Sequence, residues 1–201
     1  MHSAAKSQNP LYVAAIGASA GGLEALHKLL AYLPTDIDNL AIVIVQHLSP
    51  DFKSFLIQSL TAHTRLQVVG AKNSLLMKGG FIYVTPADCE ISTQNGKIRL
   101  LKSGQLNSPH PSINSFMHSL AADQKDKAIG IILSGTGSDG AQGLKEIKFA
   151  GGCTIVQEPS SATYNSMPLA SIKTGVIDYV LNPEKIGETL RLHCLGKGTK
   201  T

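Results

Sequence analysis

The sequence lacks tryptophan and has only three cysteines among its 201 residues. Cys89, Cys153 and Cys194 lie far apart and form no C-x-x-C pair, so the sequence indicates neither a disulfide framework nor a cysteine zinc site. Reduced thiols are typical of a cytoplasmic protein, and that is the localisation we expect.

Long apolar runs are also missing. No stretch approaches the roughly 18 apolar residues of a membrane span, and the polar segment 1–10 lacks the apolar core of a signal peptide. We therefore expect no membrane insertion. The net charge is +4, but no basic stripe interleaved with aromatic residues accompanies it. Nucleic-acid binding is therefore not expected either.

The composition that remains is typical of one globular domain. Hydrophobic residues make up 43% of the chain, which is enough for one sizeable core. Apolar, β-branched runs alternate with stretches of helical periodicity. This alternation predicts an α/β fold with a doubly wound, mostly parallel sheet flanked by helices. We predict that the domain covers residues 11–195, between disordered segments at 1–10 and 196–201.

The middle of the chain interrupts this alternation. Short strands are predicted at 81–84, 89–91 and 98–101, and Asn95-Gly96 between the last two is a strong two-residue hairpin signal. We therefore predict a small antiparallel insertion in this region. A loop at 103–111 follows it, and Ser112 is predicted to cap the next helix. An earlier helix is predicted to begin at Ser49-Pro50-Asp51.

The opening strand ends in a tight turn at Ser19. A hydroxyl at a junction between strand and helix lies beside the unpaired N–H groups of the helix's first turn. Gly17-Ala-Ser-Ala-Gly21 also has the G-x-S-x-G spacing of a nucleophile elbow. Two other interpretations stay open, because Ser19 could cap the helix or the turn could cradle a phosphate. Dinucleotide binding is disfavoured, since Ser19 occupies the second glycine position of G-x-G-x-x-G.

Three predicted strand ends carry the residue types of an acyl-transfer triad. The carboxyl ends of parallel strands meet at one edge of the sheet, where Ser19, His47 and Asp139 would converge as nucleophile, base and orienting carboxylate. Backbone N–H groups at Ala20 and at Thr136-Gly137 are candidates for an oxyanion hole. Simpler interpretations are a polar strand end for His47 and a helix cap for Asp139. The order Ser, His, Asp excludes the α/β-hydrolase fold.

Further stretches accompany these three residues, namely Gly17-Ala-Ser-Ala-Gly-Gly22, Val45-Gln-His47, Leu133-Ser-Gly-Thr-Gly-Ser-Asp-Gly-Ala141, Gly151-Gly-Cys-Thr-Ile-Val-Gln157 and Ser166-Met-Pro168. Together they resemble the catalytic domain of the CheB-type chemotaxis protein-glutamate methylesterases, and the resemblance extends from about Tyr12 to Leu190. It implies a serine hydrolase that removes methyl groups from glutamate γ-methyl esters of chemoreceptor-like proteins, and that can deamidate glutamines by the same chemistry. By this resemblance Ser19 is the nucleophile, His47 the general base and Asp139 the orienting acid, and we expect no metal ion and no organic cofactor.

The sequence also departs from the family pattern. Many members have Thr where Ala20 stands, Met where Thr136 stands, and Arg-Pro-Ser-Val-Asp where this chain has His110-Pro-Ser-Ile-Asn114. The stretch 134–140 is most similar to the methylesterase domain of CheB/CheR-type fusion proteins. This implies a methylated chemoreceptor-like partner and, in a fusion, methyltransferase or sensory kinase modules.

Two further expectations concern regulation and an alternative function. No receiver domain precedes Tyr12, so we expect hydrolysis not to respond to small phosphodonors. The alternative function is a non-catalytic docking domain in a signalling array, which would keep the fold without the chemistry. The remaining candidates are weaker: His27, His63, His118 and His193 are expected to be plain helix residues, and His110, Glu158, Tyr164 and Asn165 are loop residues that could border the site.

Overall fold

The computed structural model describes residues 11–47, 53–102 and 111–196. The predictions for the segment 1–10, the helix start at Ser49-Pro50-Asp51, His110 and nearly all of the loop at 103–111 lie outside the described residues. So does the predicted tail, apart from Gly196.

Nine strands and six α-helices occur in the described ranges. The strands are β1 (Tyr12–Ala18), β2 (Leu40–Gln46), β3 (Gln67–Gly70), β4 (Phe81–Val84), β5 (Cys89–Gln94), β6 (Lys97–Lys102), β7 (Ala128–Ile132), β8 (Cys153–Gln157) and β9 (Tyr179–Leu181). The helices are α1 (Gly22–Ala31), α2 (Lys53–Thr61), α3 (Ile113–Gln124), α4 (Ala141–Phe149), α5 (Ser166–Ile172) and α6 (Pro183–Cys194).

Seven strands form one parallel sheet in the order β3-β4-β2-β1-β7-β8-β9. Every residue of β1, β2, β7 and β8 is buried, as expected for strands covered by helices on both faces. The predicted doubly wound, mostly parallel sheet is therefore confirmed. β1 is the central strand of this sheet, and β2 and β7 pair with it on either side. The loops that follow β2, β1 and β7 therefore lie side by side.

The two faces of the sheet carry separate cores. Side chains of α1, α2 and α6 pack on one face, including Leu26, Leu60 and Leu190. Side chains of α3, α4 and α5 pack on the other, including Phe116 and Met167. Burying each of these large apolar side chains contributes about 1.5–3 kcal/mol to the free energy of unfolding. The two cores therefore hold the strand ends in fixed relative positions. No helix among the described residues is long and apolar enough to cross a bilayer.

The middle of the chain differs in one respect from the prediction. β5 and β6 form the predicted antiparallel hairpin, and Asn95 and Gly96 at its turn have φ of 52° and 70°. The stretch 81–84, in contrast, joins the main sheet as the parallel strand β4 between β2 and β3. A short strand flanked by turns has the same local sequence pattern in a parallel sheet and in an antiparallel insertion. Only the strands with which it pairs distinguish the two arrangements.

Candidate active site

The three predicted site residues follow neighbouring strands at the carboxyl edge of the sheet. Ser19 follows β1, His47 follows β2, and Asp139 lies in the loop between β7 and α4. Backbone hydrogen bonds join these loops: the His47 N–H donates to the Ala18 carbonyl (3.3 Å) and the Ser19 N–H donates to the Ser134 carbonyl (3.0 Å). The structure thus brings all three residues to one place, although 92 residues separate His47 from Asp139.

His47 and Asp139 are joined directly. His47 Nε2 lies 3.1 Å from Asp139 Oδ2, and the two side chains are only 19% and 23% exposed. A carboxylate accepts hydrogen bonds without donating, so this contact places the ring proton on Nε2. The other ring nitrogen, Nδ1, is then the unprotonated one in the neutral imidazole. A histidine held in this tautomer can take a proton from a hydroxyl that approaches Nδ1.

Backbone donors surround the Asp139 carboxylate as well. Its Oδ2 accepts from the Ile113 N–H (2.8 Å), and its Oδ1 accepts from the N–H groups of Asn114 (2.9 Å) and Gly140 (2.9 Å). Burial alone would raise the pKa of Asp139, but the hydrogen bonds from His47, Ile113 and Asn114 outweigh it and lower the pKa below its usual value. Asp139 is therefore an ionised carboxylate at neutral pH.

Ser19 lies in the turn between β1 and α1. Its carbonyl accepts from the Gly22 N–H (2.8 Å), and the helix cap is Gly21, which has a left-handed conformation (φ 70°) and makes no side-chain capping bond. Ser19 is thus not the side-chain cap that one alternative interpretation required. Within the described part of the chain, its hydroxyl makes no hydrogen bond to His47. Such bonds are often long in a substrate-free site and shorten when substrate binds.

The loop after β7 packs closely against Ser19. A Cβ atom on Gly135 would lie 3.0 Å from Ser19 Cβ and would clash with Met167 Sδ. Gly135 also donates its N–H to the Tyr164 carbonyl (2.9 Å) and accepts from the Met167 N–H (3.0 Å). Only glycine fits between these three neighbours, so the small residues of this loop allow it to approach the turn.

Sequence reasoning missed Ser134, which is 1% exposed and links three loops of the site. Its N–H donates to Gln157 Oε1 (2.8 Å), its hydroxyl donates to the Ala20 carbonyl (2.9 Å), and the same hydroxyl oxygen accepts from the Tyr164 N–H (3.0 Å). The signal in the sequence is weak, since Ser134 differs from other loop serines only in following an apolar strand. Tyr164, a weak candidate from the sequence, therefore contacts the site through its backbone N–H, which donates to Ser134.

The three oxyanion-hole candidates lie in these same loops. Ala20 is half-buried, whereas Thr136 and Gly137 are exposed. Over the described ranges, none of the three backbone N–H groups donates to a protein acceptor. They are thus free to donate to a bound group.

Four other histidines lie in the described ranges. His27, His118 and His193 belong to α1, α3 and α6, as predicted, but His63 lies just beyond the end of α2 rather than within a helix. The helix prediction for His63 is therefore wrong, because the chain turns after Thr61. The ring of His63 stacks on that of His27, with centroids 3.9 Å apart. No group of three histidine, cysteine or acidic side chains in the described ranges is arranged to hold a metal ion.

Two other loop candidates have backbone roles. The Glu158 N–H donates to the Leu181 carbonyl (2.8 Å), which ties the end of β8 to β9. The Asn165 carbonyl accepts from the Leu169 N–H (2.9 Å) in the first turn of α5. The contacts of both residues are thus those of structural turns.

Comparisons with known proteins agree with one another. The CheB methylesterase family matches residues 14–190. The crystal structure of the Thermotoga maritima CheB methylesterase catalytic domain superposes with a TM-score of 0.82 at 34% identity, covering 90% of this chain and 97% of that one.

Full-length relatives show the same similarity. The protein-glutamate methylesterase/protein-glutamine glutaminase of Pyrococcus horikoshii is 35% identical over 180 residues, which are 88% of this chain and 49% of that protein. A relative in Leptospira interrogans, provisionally named for the same two activities, is 37% identical over 174 residues, 86% of this chain and 90% of its own length. The chain thus spans about half of the first relative and most of the second.

Proposed function

Because the chain belongs to the CheB methylesterase family, we propose that it hydrolyses glutamate γ-methyl esters on chemoreceptor-like proteins with Ser19, His47 and Asp139 as its triad. The observation that carries the assignment is the hydrogen bond from His47 Nε2 to the ionised Asp139, in loops that meet beside Ser19. The same residues serve glutamine deamidation, in which ammonia replaces methanol as the leaving group.

The first half of the reaction transfers the glutamyl group to the enzyme. Ser19 Oγ attacks the γ-carbonyl carbon while its proton passes to Nδ1 of His47. Asp139 stabilises the imidazolium that forms and keeps the ring in its orientation. The tetrahedral intermediate then collapses, the bond to the methoxy oxygen breaks, and that oxygen leaves as methanol with the proton from His47. A glutamyl ester on Ser19 remains.

The second half releases the glutamate. A water molecule loses a proton to His47 and attacks the ester carbonyl carbon. The bond to Ser19 Oγ then breaks, and Ser19 recovers its proton from the imidazolium. The products are a γ-carboxylic acid, which releases its proton to solvent and becomes the carboxylate, one methanol and a regenerated serine. In both halves the carbonyl oxygen becomes negatively charged, and we assign its stabilisation to the N–H groups of Ala20, Thr136 and Gly137, which have no protein acceptor in the described residues.

The wider setting is part of the same proposal. We assign the catalytic domain to residues 11–195 and expect it to act in the cytoplasm on the methylated segment of a chemoreceptor-like protein. Because the stretch 134–140 resembles the methylesterase domain of CheB/CheR-type fusion proteins, methyltransferase or sensory kinase modules are candidate companions of this domain.

The deciding experiment is Ser19→Ala. The change deletes one oxygen from a turn in which that oxygen caps nothing, so the free energy of unfolding should change by no more than about 1 kcal/mol. Turnover should fall by roughly 10³- to 10⁶-fold, because the proposed carrier of the glutamyl ester is removed. The assay is methanol release from a methyl-esterified receptor fragment, run beside thermal melts of both proteins. Ser160→Ala is the control, since Ser160 is exposed and, among the described residues, its hydroxyl hydrogen-bonds only to Glu158.

Two results would contradict the assignment. Equal methanol release by wild type and Ser19→Ala would place the nucleophile elsewhere. Binding of the fragment by a wild-type chain that releases no methanol above background would instead support the docking domain.

A further inference from the structure

Asn114, at the start of α3, contacts the Asp139 loop in two ways. Its backbone N–H donates to Asp139 Oδ1 (2.9 Å), and its side-chain Oδ1 accepts from the N–H groups of Gly140 (3.0 Å) and Gly143 (2.8 Å) at the start of α4. Asn114 is thus the residue through which α3 holds both the carboxylate and the helix that follows it.

The two helix starts therefore cap each other. The Asp139 side chain, which precedes α4, accepts from the first N–H groups of α3, at Ile113 and Asn114. The Asn114 side chain, on α3, accepts from the first N–H groups of α4. Unpaired N–H groups at a helix start need an acceptor, and here each helix finds it on the other. The Asp139 carboxylate is therefore held both by N–H groups at the start of α3 and by the Gly140 N–H at the start of α4.

We propose that Asn114 is a positioning residue, which holds Asp139 at hydrogen-bonding distance from His47 Nε2. This inference rests on the proposed function. The Gly140 N–H donates both to Asp139 Oδ1 and to Asn114 Oδ1. Without the Asn114 side chain, the Gly143 N–H loses its only acceptor in the described residues. The Asp139 loop keeps its bonds to the N–H groups of α3 but loses the side-chain link from α3 to the start of α4. Small displacements of this kind are costly in a triad, where an error of 1 Å costs on the order of 10²-fold in rate.

Asn114 also supplies its acceptor without a charge. A carboxylate at this position would form the same two bonds but would place a second negative charge beside Asp139 and near His47. The titratable groups already facing this junction are Asp139 itself and His47; farther along α3 and α4, His118 and Glu146 pair with each other. An added negative charge near His47 would favour its protonated form, which cannot accept the serine proton.

The test compares Asn114→Ala with Asn114→Asp. We expect Asn114→Ala to lower kcat by about 10- to 100-fold with little change in KM, measured well below its melting temperature. Asn114→Asp restores both acceptor bonds and should bring the kcat plateau at high pH to within about 3-fold of wild type. The acid limb of its pH profile should move upward, by on the order of 0.5 to 1 pH unit.

Asp123→Ala is the matched control. Asp123 lies on the same helix, roughly 13 Å farther along it, where it accepts hydrogen bonds from Thr93, Asn95 and Gly96. Its loss should lower the melting temperature and leave kcat unchanged. Three outcomes would overturn the inference while the proposed function stands: wild-type kcat in Asn114→Ala, an equal loss of kcat in Asp123→Ala, or no rescue by Asn114→Asp. Failure of the wild-type chain to release methanol would refute the proposed function itself.

Discussion

Replacing Asp139 by asparagine separates its proposed catalytic role from a structural one. Among the described residues the carboxylate accepts four hydrogen bonds, two on each oxygen: His47 and Ile113 at Oδ2, Asn114 and Gly140 at Oδ1. An asparagine side chain has one oxygen and one NH₂ group. One of the two pairs of hydrogen-bond donors must therefore face the NH₂ group, which is itself a donor.

The two orientations of the amide differ in their cost. If the NH₂ group faces Asn114 and Gly140, it opposes two backbone N–H donors: the Asn114 N–H loses its acceptor, and the Gly140 N–H keeps only its bond to Asn114 Oδ1. If it faces His47 and Ile113, only the Ile113 N–H is lost, because the imidazole can change tautomer and accept at Nε2. The second orientation is cheaper, because the NH₂ group then opposes one backbone N–H donor instead of two, and it costs about 1–3 kcal/mol for one unsatisfied backbone donor. It also moves the ring proton to Nδ1, the nitrogen that must accept the proton of Ser19.

The expected result is a folded protein with very slow turnover. The same substitution in a comparable triad costs roughly 10⁴ in kcat, which corresponds to about 5 kcal/mol of transition-state stabilisation. Methanol release under saturating substrate measures the rate, and a thermal melt measures the stability. Turnover within about tenfold of wild type, together with a lowered melting temperature, would refute the reasoning and leave Asp139 as a helix cap.

Two more predictions concern stability and packing. Burial raises the pKa of Asp123, but the hydrogen bonds that it accepts, that from Thr93 first, outweigh burial and leave the pKa below its usual value. Ionised Asp123 therefore stabilises the folded protein above the usual carboxylate pKa, near pH 4. This stabilisation is lost as the pH falls through the lowered pKa. In thermal melts from pH 7 to 2, Asp123→Asn should have a lower melting temperature than wild type at pH 7 and a smaller decrease in melting temperature below pH 4. Melting temperatures of the two proteins that fall in parallel with pH would contradict this. Gly135→Ala should cost about 1–3 kcal/mol and reduce kcat, because the added methyl meets Ser19 and Met167. The control Gly70→Ala, where the nearest atom would lie 3.5 Å away, should do neither, and an equal effect at both glycines would refute the packing argument.

Several features of the protein follow from local sequence. The turn at Ser19, the hairpin at Asn95-Gly96 and the cap at Ser112, whose hydroxyl accepts from the Ser115 N–H, all depend on residues within a few positions of one another. Apolar, β-branched runs likewise indicate buried parallel strands, because burial on both faces removes the alternation that marks a half-exposed strand. The parallel edge that gathers Ser19, His47 and Asp139 follows from this pattern, since the carboxyl ends of parallel strands share an edge.

Other features depend on contacts between distant segments. The sequence could not place 81–84 in the main sheet, because a strand's partners are chosen by the packing of the whole sheet and not by its own residues. It determined the residue types at the site, but which atoms of His47 and Asp139 meet, and which N–H groups of α3 hold the carboxylate, was decided only when α3 packed against α4. Asn114 and Ser134 act through such contacts: each is an ordinary polar residue in its local sequence, and each acquires its role from groups more than 20 residues away.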